Sequence, residues 1–307
     1  MRKGMFKSQK GSHRIIFLGF SIIVVLLFLL FIGMLSTESS VSIAKFGLSF
    51  IISQNWNPVA GLFGALPFIY GTIVSSVIAL FLGGTIGIST ALFLTYYAPS
   101  WISKPLLLLV ELLAAVPSVV YGLWGIFVLA PLFQSSVEPF LQHYFGFLPI
   151  FQGQFFGVGM LAAGSVLAIM ILPIITSITR DVFATVPKKE QEAALGLGAT
   201  KLEMIRLAVL PHSATGIFGG MMLALGRALG ETMAVTMVIG NKPAISGSLF
   251  APGYTMASVI ANEFTEATTS LHISALFEIG LLLFVITMIF YYLSQLLLGK
   301  TTKNSGE

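Results

Sequence analysis

Six long apolar runs set the terms for this chain: Ile15 to Leu35, Pro67 to Tyr96, Pro105 to Phe133, Phe155 to Ile178, Ala214 to Gly240 and Ile273 to Leu298. An α-helix rises about 1.5 Å per residue, so roughly 20 apolar residues cross a hydrocarbon core of about 30 Å, and each run is long enough. The chain is therefore expected to be all-α, a polytopic membrane protein with six transmembrane helices. Composition agrees, with 56% hydrophobic residues, 9% charged residues and a mean hydropathy of +0.95. A soluble domain of this length needs more charge to cover its surface, and a disordered chain cannot be this apolar.

Lysine and arginine placement predicts the orientation. With both termini in the cytoplasm, Arg2, Lys3, Lys7, Lys10, Arg14, Lys104, Arg180, Lys188, Lys189, Lys201, Arg206, Lys300 and Lys303 fall inside, against Lys45 and Lys242 outside. The formal net charge of +4 thus expresses topology, and a nucleic-acid partner is not needed to explain it. The basic flank before the first run resembles a signal peptide, but the run is long and no clear cleavage pattern follows, so it reads as a retained signal anchor. The expected division is 1–36 for the basic N-terminus and first helix, 37–66 for an external loop, 67–299 for a five-helix core and 300–307 for a cytoplasmic tail. Within the core, 180–212 is a cytoplasmic loop and 241–272 an external one. Both external loops are polar, fit either for simple connection or for meeting an external partner.

The stretch "GRALGETMAV" (Gly226 to Val235) places Arg227 and Glu231 inside the fifth run. An intramembrane charge costs roughly 2.5–3.5 kcal/mol on insertion scales, so such residues face a bundle interior or a watery cavity. Four residues apart, they are expected on one helical face, able to neutralise each other. Two readings follow: a buried ion pair that fixes packing, or part of a polar pathway. Arg227 is the only lysine or arginine inside a predicted span. Glu111 and Glu278 are the other carboxylates within spans, either helix-end groups reaching interfacial water or further parts of a path. Glycine pairs four apart, Gly83 with Gly87, Gly216 with Gly220 and Gly226 with Gly230, favour close helix approach, and Pro117 is expected to kink the third span.

The loop "RDVFATVPKKEQEAALGLGATKLEMIRLAVLPH" (Arg180 to His212) is too charged for hydrocarbon yet strongly patterned. It reads as a helix-turn-helix. The first helix starts by Thr185 and Pro187 and ends near Gly198; Thr200 to Glu203 has capping-box spacing and opens a second helix expected to stop at Pro211. Helices this short are marginal alone, so a partner should hold them. Ala193 and Ala194 offer a small-residue surface, and Glu192 a carboxylate for a basic or N–H-rich groove.

Glu192-Ala193-Ala194, Gly198 and Leu210-Pro211 together resemble the EAA loop of bacterial ABC importer permeases. Ala208 departs from the pattern, which usually has Ile or Val there. The stretches "FGALPFIYGT" (Phe63 to Thr72), "AAVPSVVYGLWG" (Ala114 to Gly125) and "GRALGETMAVTMVIGN" (Gly226 to Asn241) narrow the likeness to PstC-type permeases, membrane subunits of bacterial phosphate importers. The resemblance implies a type I ABC importer permease fold, with the EAA loop docking into an ATP-hydrolysing subunit. It also implies a PstA-type second permease, a PstB-type ATPase dimer that binds ATP and Mg, and an external phosphate-binding protein. Arg227 would then meet phosphate, for which a guanidinium offers two parallel N–H donors.

The chain itself is expected to bind no cofactor and catalyse nothing. Gly299-Lys300-Thr301 echoes a phosphate-binding loop, but Ser294 occupies the first glycine position and the flanks are membrane span. There is no cysteine, and His13, His143, His212 and His272 lie at span ends or in loops without metal-site spacing. A permease for another oxyanion, sulfate or molybdate, is the nearest alternative. An ion-driven carrier or channel is a more distant one, because it has no use for an ATPase dock.

Overall fold

A computed structural model describes residues 5–304, with side chains placed for 17–296. Arg2 and Lys3, and the side chains of Lys7, Lys10, His13, Arg14, Lys300, Thr301 and Lys303, lie outside the described residues. The elements in order are α1 (Met5–Glu38), α2 (Ser40–Phe46), α3 (Ser49–Ile52), α4 (Leu66–Tyr97), α5 (Ser100–Ala115) and α6 (Ser118–Phe145), then α7 (Met160–Ala184), α8 (Lys188–Gly196), α9 (Lys201–Leu229), α10 (Met233–Val238), α11 (Met256–Glu263) and α12 (Ser270–Asn304). Among the described residues six helices are long and apolar enough to span a membrane: α1, α4, α6, α7, α9 and α12. Among the described residues the only β pairing is an isolated bridge between Asn57 and Leu62.

Glycine decides which helices meet. Gly83 and Gly87 of α4 face Ala168, Ile171 and Ile175 of α7, and a Cβ at Gly83 would lie 2.9 Å from the Ala168 carbonyl oxygen. Gly216 and Gly220 of α9 meet Val182 and Ile178 further along the same face of α7, so α7 is the central post and the most buried span. The third pair behaves differently: a Cβ at Gly226 would touch nothing within 4 Å. Gly83→Val is expected to cost about 1–3 kcal/mol by overpacking, read as a lowered unfolding temperature in detergent, whereas Gly226→Ala leaves that temperature unchanged. At the other extreme α1 lies along α12, joined by Phe28 and Phe284 at 5.4 Å between ring centroids, with most of its surface exposed.

Proline shapes the spans in a way the expected boundaries missed. Four π-turns occur among the described residues, Phe93–Tyr97, Gly125–Leu129, Phe133–Val137 and Ile205–Val209, and each is followed two residues later by a proline: Pro99, Pro131, Pro139 and Pro211. In each, the residue before the proline donates its N–H to the carbonyl five back, as Leu210 does to Ile205. A proline has no N–H and its ring crowds the carbonyl four residues earlier, so widening the preceding turn relieves the clash. The chain stays helical through Pro131, Pro139 and Pro211, and breaks at Ala98 and Pro99, which are extended. Consequently the second loop helix does not stop at Pro211, as expected, but runs on to Leu229. The fifth span is therefore Lys201–Leu229 plus the short α10 rather than Ala214 to Gly240, and the fourth is Met160–Ala184 rather than Phe155 to Ile178.

Pro117 does more than kink the third span. Val116 and Pro117 adopt extended backbone (ψ 128° and 142°), ending α5 and starting α6, so the expected run from Pro105 to Phe133 is two helices. A proline also pushes the residue before it out of the helical region, which accounts for Val116.

Candidate functional site

The α9–α10 junction is the first candidate. Arg227 sits in the last turn of α9, which ends at Leu229, and Gly230 (φ −94°, ψ 0°) breaks the helix. Glu231 has already left it: its N–H donates to the Ala228 carbonyl at 3.3 Å, and its carboxylate accepts the N–H of Ala234 at 3.4 Å, at the start of α10. The expected single helical face and mutual pairing of Arg227 and Glu231 are thus not what the structure has. Among the described residues the ion pairs are His212–Glu190 and His272–Glu263. The reason is local: glycine at 226 and 230 weakens the helix, and a carboxylate at the N-terminus of the next helix satisfies an orphan amide and opposes the helix dipole favourably.

Exposure shows where the junction looks. Leu223, Gly226, Arg227 and Gly230 are exposed on one side of α9, while Ala224, Leu225, Ala228 and Leu229 are buried. A guanidinium in a span cannot face lipid cheaply, so this open side belongs against another polypeptide or a watery path. A groove of about 540 Å³ between α7, α9 and α12 lies close by, but its walls, among them Gly216, Gly219, Leu223 and Phe290, are mostly apolar and do not include Arg227.

The second candidate is the turn between α7 and α9. Pro187 precedes α8, Gly198 takes φ +88° after it, and the Ala199 N–H closes on the Ala194 carbonyl at 3.2 Å. The capping box forms as expected: the Thr200 N–H donates to the Glu203 carboxylate at 2.7 Å, and the Glu203 N–H donates to the Thr200 hydroxyl at 3.3 Å. Glu192 and Ala193 are exposed, Ala194 leans onto an apolar cluster of Phe183, Val186, Met204 and Val209, and Leu210 and Pro211 open the long α-helical stretch of α9 that follows its π-turn. Leu195, Leu197, Leu202 and Leu207 are exposed at 45%, 91%, 67% and 69% on this charged surface, which marks it as incomplete without a partner. Glu190 meets His212 at 3.4 Å, fastening α8 to α9. The two candidates lie at opposite ends of α9, joined by one helix.

At the end away from that loop, the two connections expected to be external are folded together. Trp56 Nε1 donates to Glu263 at 2.9 Å, the same carboxylate oxygen lies 3.0 Å from His272 Nε2, and Phe63 stacks on the His272 ring. Beside them is a polar hollow of about 720 Å³ walled in part by Asn241, Tyr254, Asn262 and Glu266. Burial, with help from the charges of Glu263 and Glu266, pushes the Tyr254 hydroxyl up to about 12 against a hydrogen bond from Asn262 that pulls it down. It stays a neutral phenol at physiological pH. No motif or spacing in the sequence marks Trp56, Glu263 or Tyr254 as a cluster. A tryptophan between Asn55 and Asn57, in an otherwise polar loop, was the available signal.

Glu278 is buried and Glu111 is exposed, so only Glu111 fits a group that reaches out of the fold.

Residues 83–303 match the family model described as binding-protein-dependent transport system inner membrane component. The phosphate transport system permease protein PstC of Mesorhizobium japonicum is 49% identical over 86% of this chain and 82% of its own length. Those of Haemophilus influenzae and Pasteurella multocida are 47% and 45% identical, covering 94% and 100% of this chain and 92% and 99% of theirs. The chain belongs to the PstC group of this permease family. Solved structures agree on the fold of type I ABC importer permeases. A bacterial ABC transporter involved in alginate import aligns with a TM-score of 0.59 at 16% identity over 95% of this chain and 99% of that one. The inward-facing MetNI methionine ABC transporter aligns with a TM-score of 0.58 at 15% identity, over 80% and 99%. At such identity the likeness speaks for fold alone. With six helices of membrane-spanning length among the described residues and a match to an inner membrane component family, the chain is a multi-pass membrane protein.

Proposed function

We propose that this chain is the membrane permease of an ATP-driven importer of inorganic phosphate, working with a PstA-type second permease, a PstB-type ATPase dimer and an external phosphate-binding protein. The observation that carries the reading is an exposed arginine on a span, joined by one unbroken helix to an EAA loop whose surface leucines lack cover. ATP and Mg belong to the ATPase subunits, so the permease conducts and does not catalyse. Both termini and the 180–212 loop then face the cytoplasm, and the 37–66 and 241–272 segments face outward toward the binding protein.

In this mechanism Glu192, Ala193, Ala194 and Gly198 form the docking surface for the ATPase, and Leu210-Pro211 launches α9 from it. Helix α9 works as a lever: displacement of its loop end by the ATPase reaches Arg227 through 29 residues of continuous helix. Arg227 offers its planar fork of donors to phosphate, a tetrahedral anion of one to two charges at neutral pH. Glu231, capping α10, is the group that re-pairs with Arg227 when the path closes, and Gly230 is the joint that permits it. One cation, unpaired while the path is open, lowers the barrier to an anion without trapping it.

Glu231→Gln is expected to lower phosphate moved per ATP hydrolysed several-fold while leaving binding-protein docking intact, measured with reconstituted complex. Equal transport stoichiometry in the variant and the wild type would remove Glu231 from the gate. The same assay with sulfate or molybdate as competitor separates phosphate from other oxyanions. Uptake without ATP would point to a carrier or channel instead.

A further inference from the structure

Glu138 takes no part in the transport cycle described above, yet it is the most enclosed acidic side chain among the described residues, 1% exposed. Its two carboxylate oxygens share the N–H of Gly157, each at 3.2 Å, and no cation among the described residues pairs with it. A buried carboxylate satisfied by backbone amide alone is costly unless the amide is held in place. Gly157 is held: its φ of +69° suits glycine, and a Cβ there would lie 2.2 Å from the Ala130 carbonyl oxygen.

The consequences reach α10. Two residues on, the Gly159 N–H donates to the Val238 carbonyl at 2.9 Å, at the end of α10, and the next amides, of Met160 and Leu161, donate to Ala251 and Leu249. From the other side, the Gly253 N–H donates to the Ile239 carbonyl at 2.9 Å. The flank of α10 rests on α6, the helix that carries Glu138, where a Cβ at Gly122 would lie 2.5 Å from Met237 Sδ and one at Gly125 2.6 Å from Val238 Cγ1. A closed circuit results: α6, Glu138, Gly157, Gly159, Val238 and back to α6.

We propose that Glu138 is a positioning residue for transport, fixing through Gly157 and Gly159 the seat of α10 and hence of Glu231 at its start. The assignment rests on the reading of the Arg227–Glu231 junction as the gate. A purely structural role would reduce how much complex assembles without altering how well it couples.

The absence of cysteine makes a direct test available. Spin labels on Phe81→Cys of α4 and Met233→Cys of α10, positions 71% and 46% exposed, report the seat of α10 by pulsed EPR in the assembled transporter. Glu138→Ala is expected to broaden or shift that distance and to lower phosphate moved per ATP by about tenfold, the scale of a lost charge-assisted hydrogen bond. Glu138→Gln, which keeps a carbonyl acceptor for Gly157, restores both. If Glu138→Ala does not assemble, Glu138→Asp, shorter by a methylene, carries the test with the same expected change. An unchanged distance and ratio, or reduced assembly with an unchanged ratio, overturns the proposal. Failure of the wild type to import phosphate sinks the transport reading instead, while the EPR distance still decides whether Glu138 seats α10.

Discussion

Arg227→Gln is expected to cut ATP-dependent phosphate uptake by about a hundredfold or more at matched membrane expression, since two charge-assisted hydrogen bonds at roughly 1.5–3 kcal/mol each are lost together. Arg227→Lys keeps the charge but not the planar fork, and an intermediate loss of about tenfold is expected. The graded order matters as much as the size of the fall. Arg227 is exposed and free of Glu231, so Gln at this position removes no buried partner and strands no carboxylate. Stability should therefore be unchanged, which thermal unfolding of the purified variant checks. Full uptake in both variants would mean that Arg227 is packing against a neighbouring chain rather than meeting the anion.

Glu192→Arg is expected to abolish uptake as completely, by a different route. Glu192 stands exposed on α8, beside Ala193, and forms no ion pair among the described residues. Reversing its charge leaves the fold alone and sets a cation against a surface expected to be basic or rich in N–H groups. Loss of a close charge pair at an interface costs several kcal/mol, and repulsion adds to it. The permease should then fail to retain its ATPase on co-purification, and ATP hydrolysis should no longer respond to loaded binding protein. An ATPase that still co-purifies and responds would remove Glu192 from the dock.

The two sites differ in how far sequence alone carried them. The loop was legible because its signals are local: a proline before a helix, a glycine after it and Thr200 three residues before Glu203 are sufficient, and the structure has all three. The glycine pairs at 83 and 87 and at 216 and 220 were equally readable, because a missing Cβ has one main use between spans. The junction was not. Periodicity treats Gly226 to Val235 as continuous helix, and only the balance between a weakened glycine turn and a carboxylate free to cap α10 decides otherwise. Prolines misled in both directions. Pro211 reads as a stop in the sequence and is a π-turn marker within a helix, while Pro117 reads as a kink and is a full break. Glu138 was invisible for a further reason, since its partner is a backbone amide 19 residues away and no residue pattern records it.

The measurement that bears most directly on the whole account is labelled phosphate uptake into proteoliposomes holding both permeases, the ATPase and the external binding protein, run with and without ATP and with excess sulfate. The account predicts uptake that requires ATP and binding protein, resists sulfate, and is lost with Arg227→Gln and with Glu192→Arg. Uptake that proceeds without ATP, or that survives both substitutions, would contradict it.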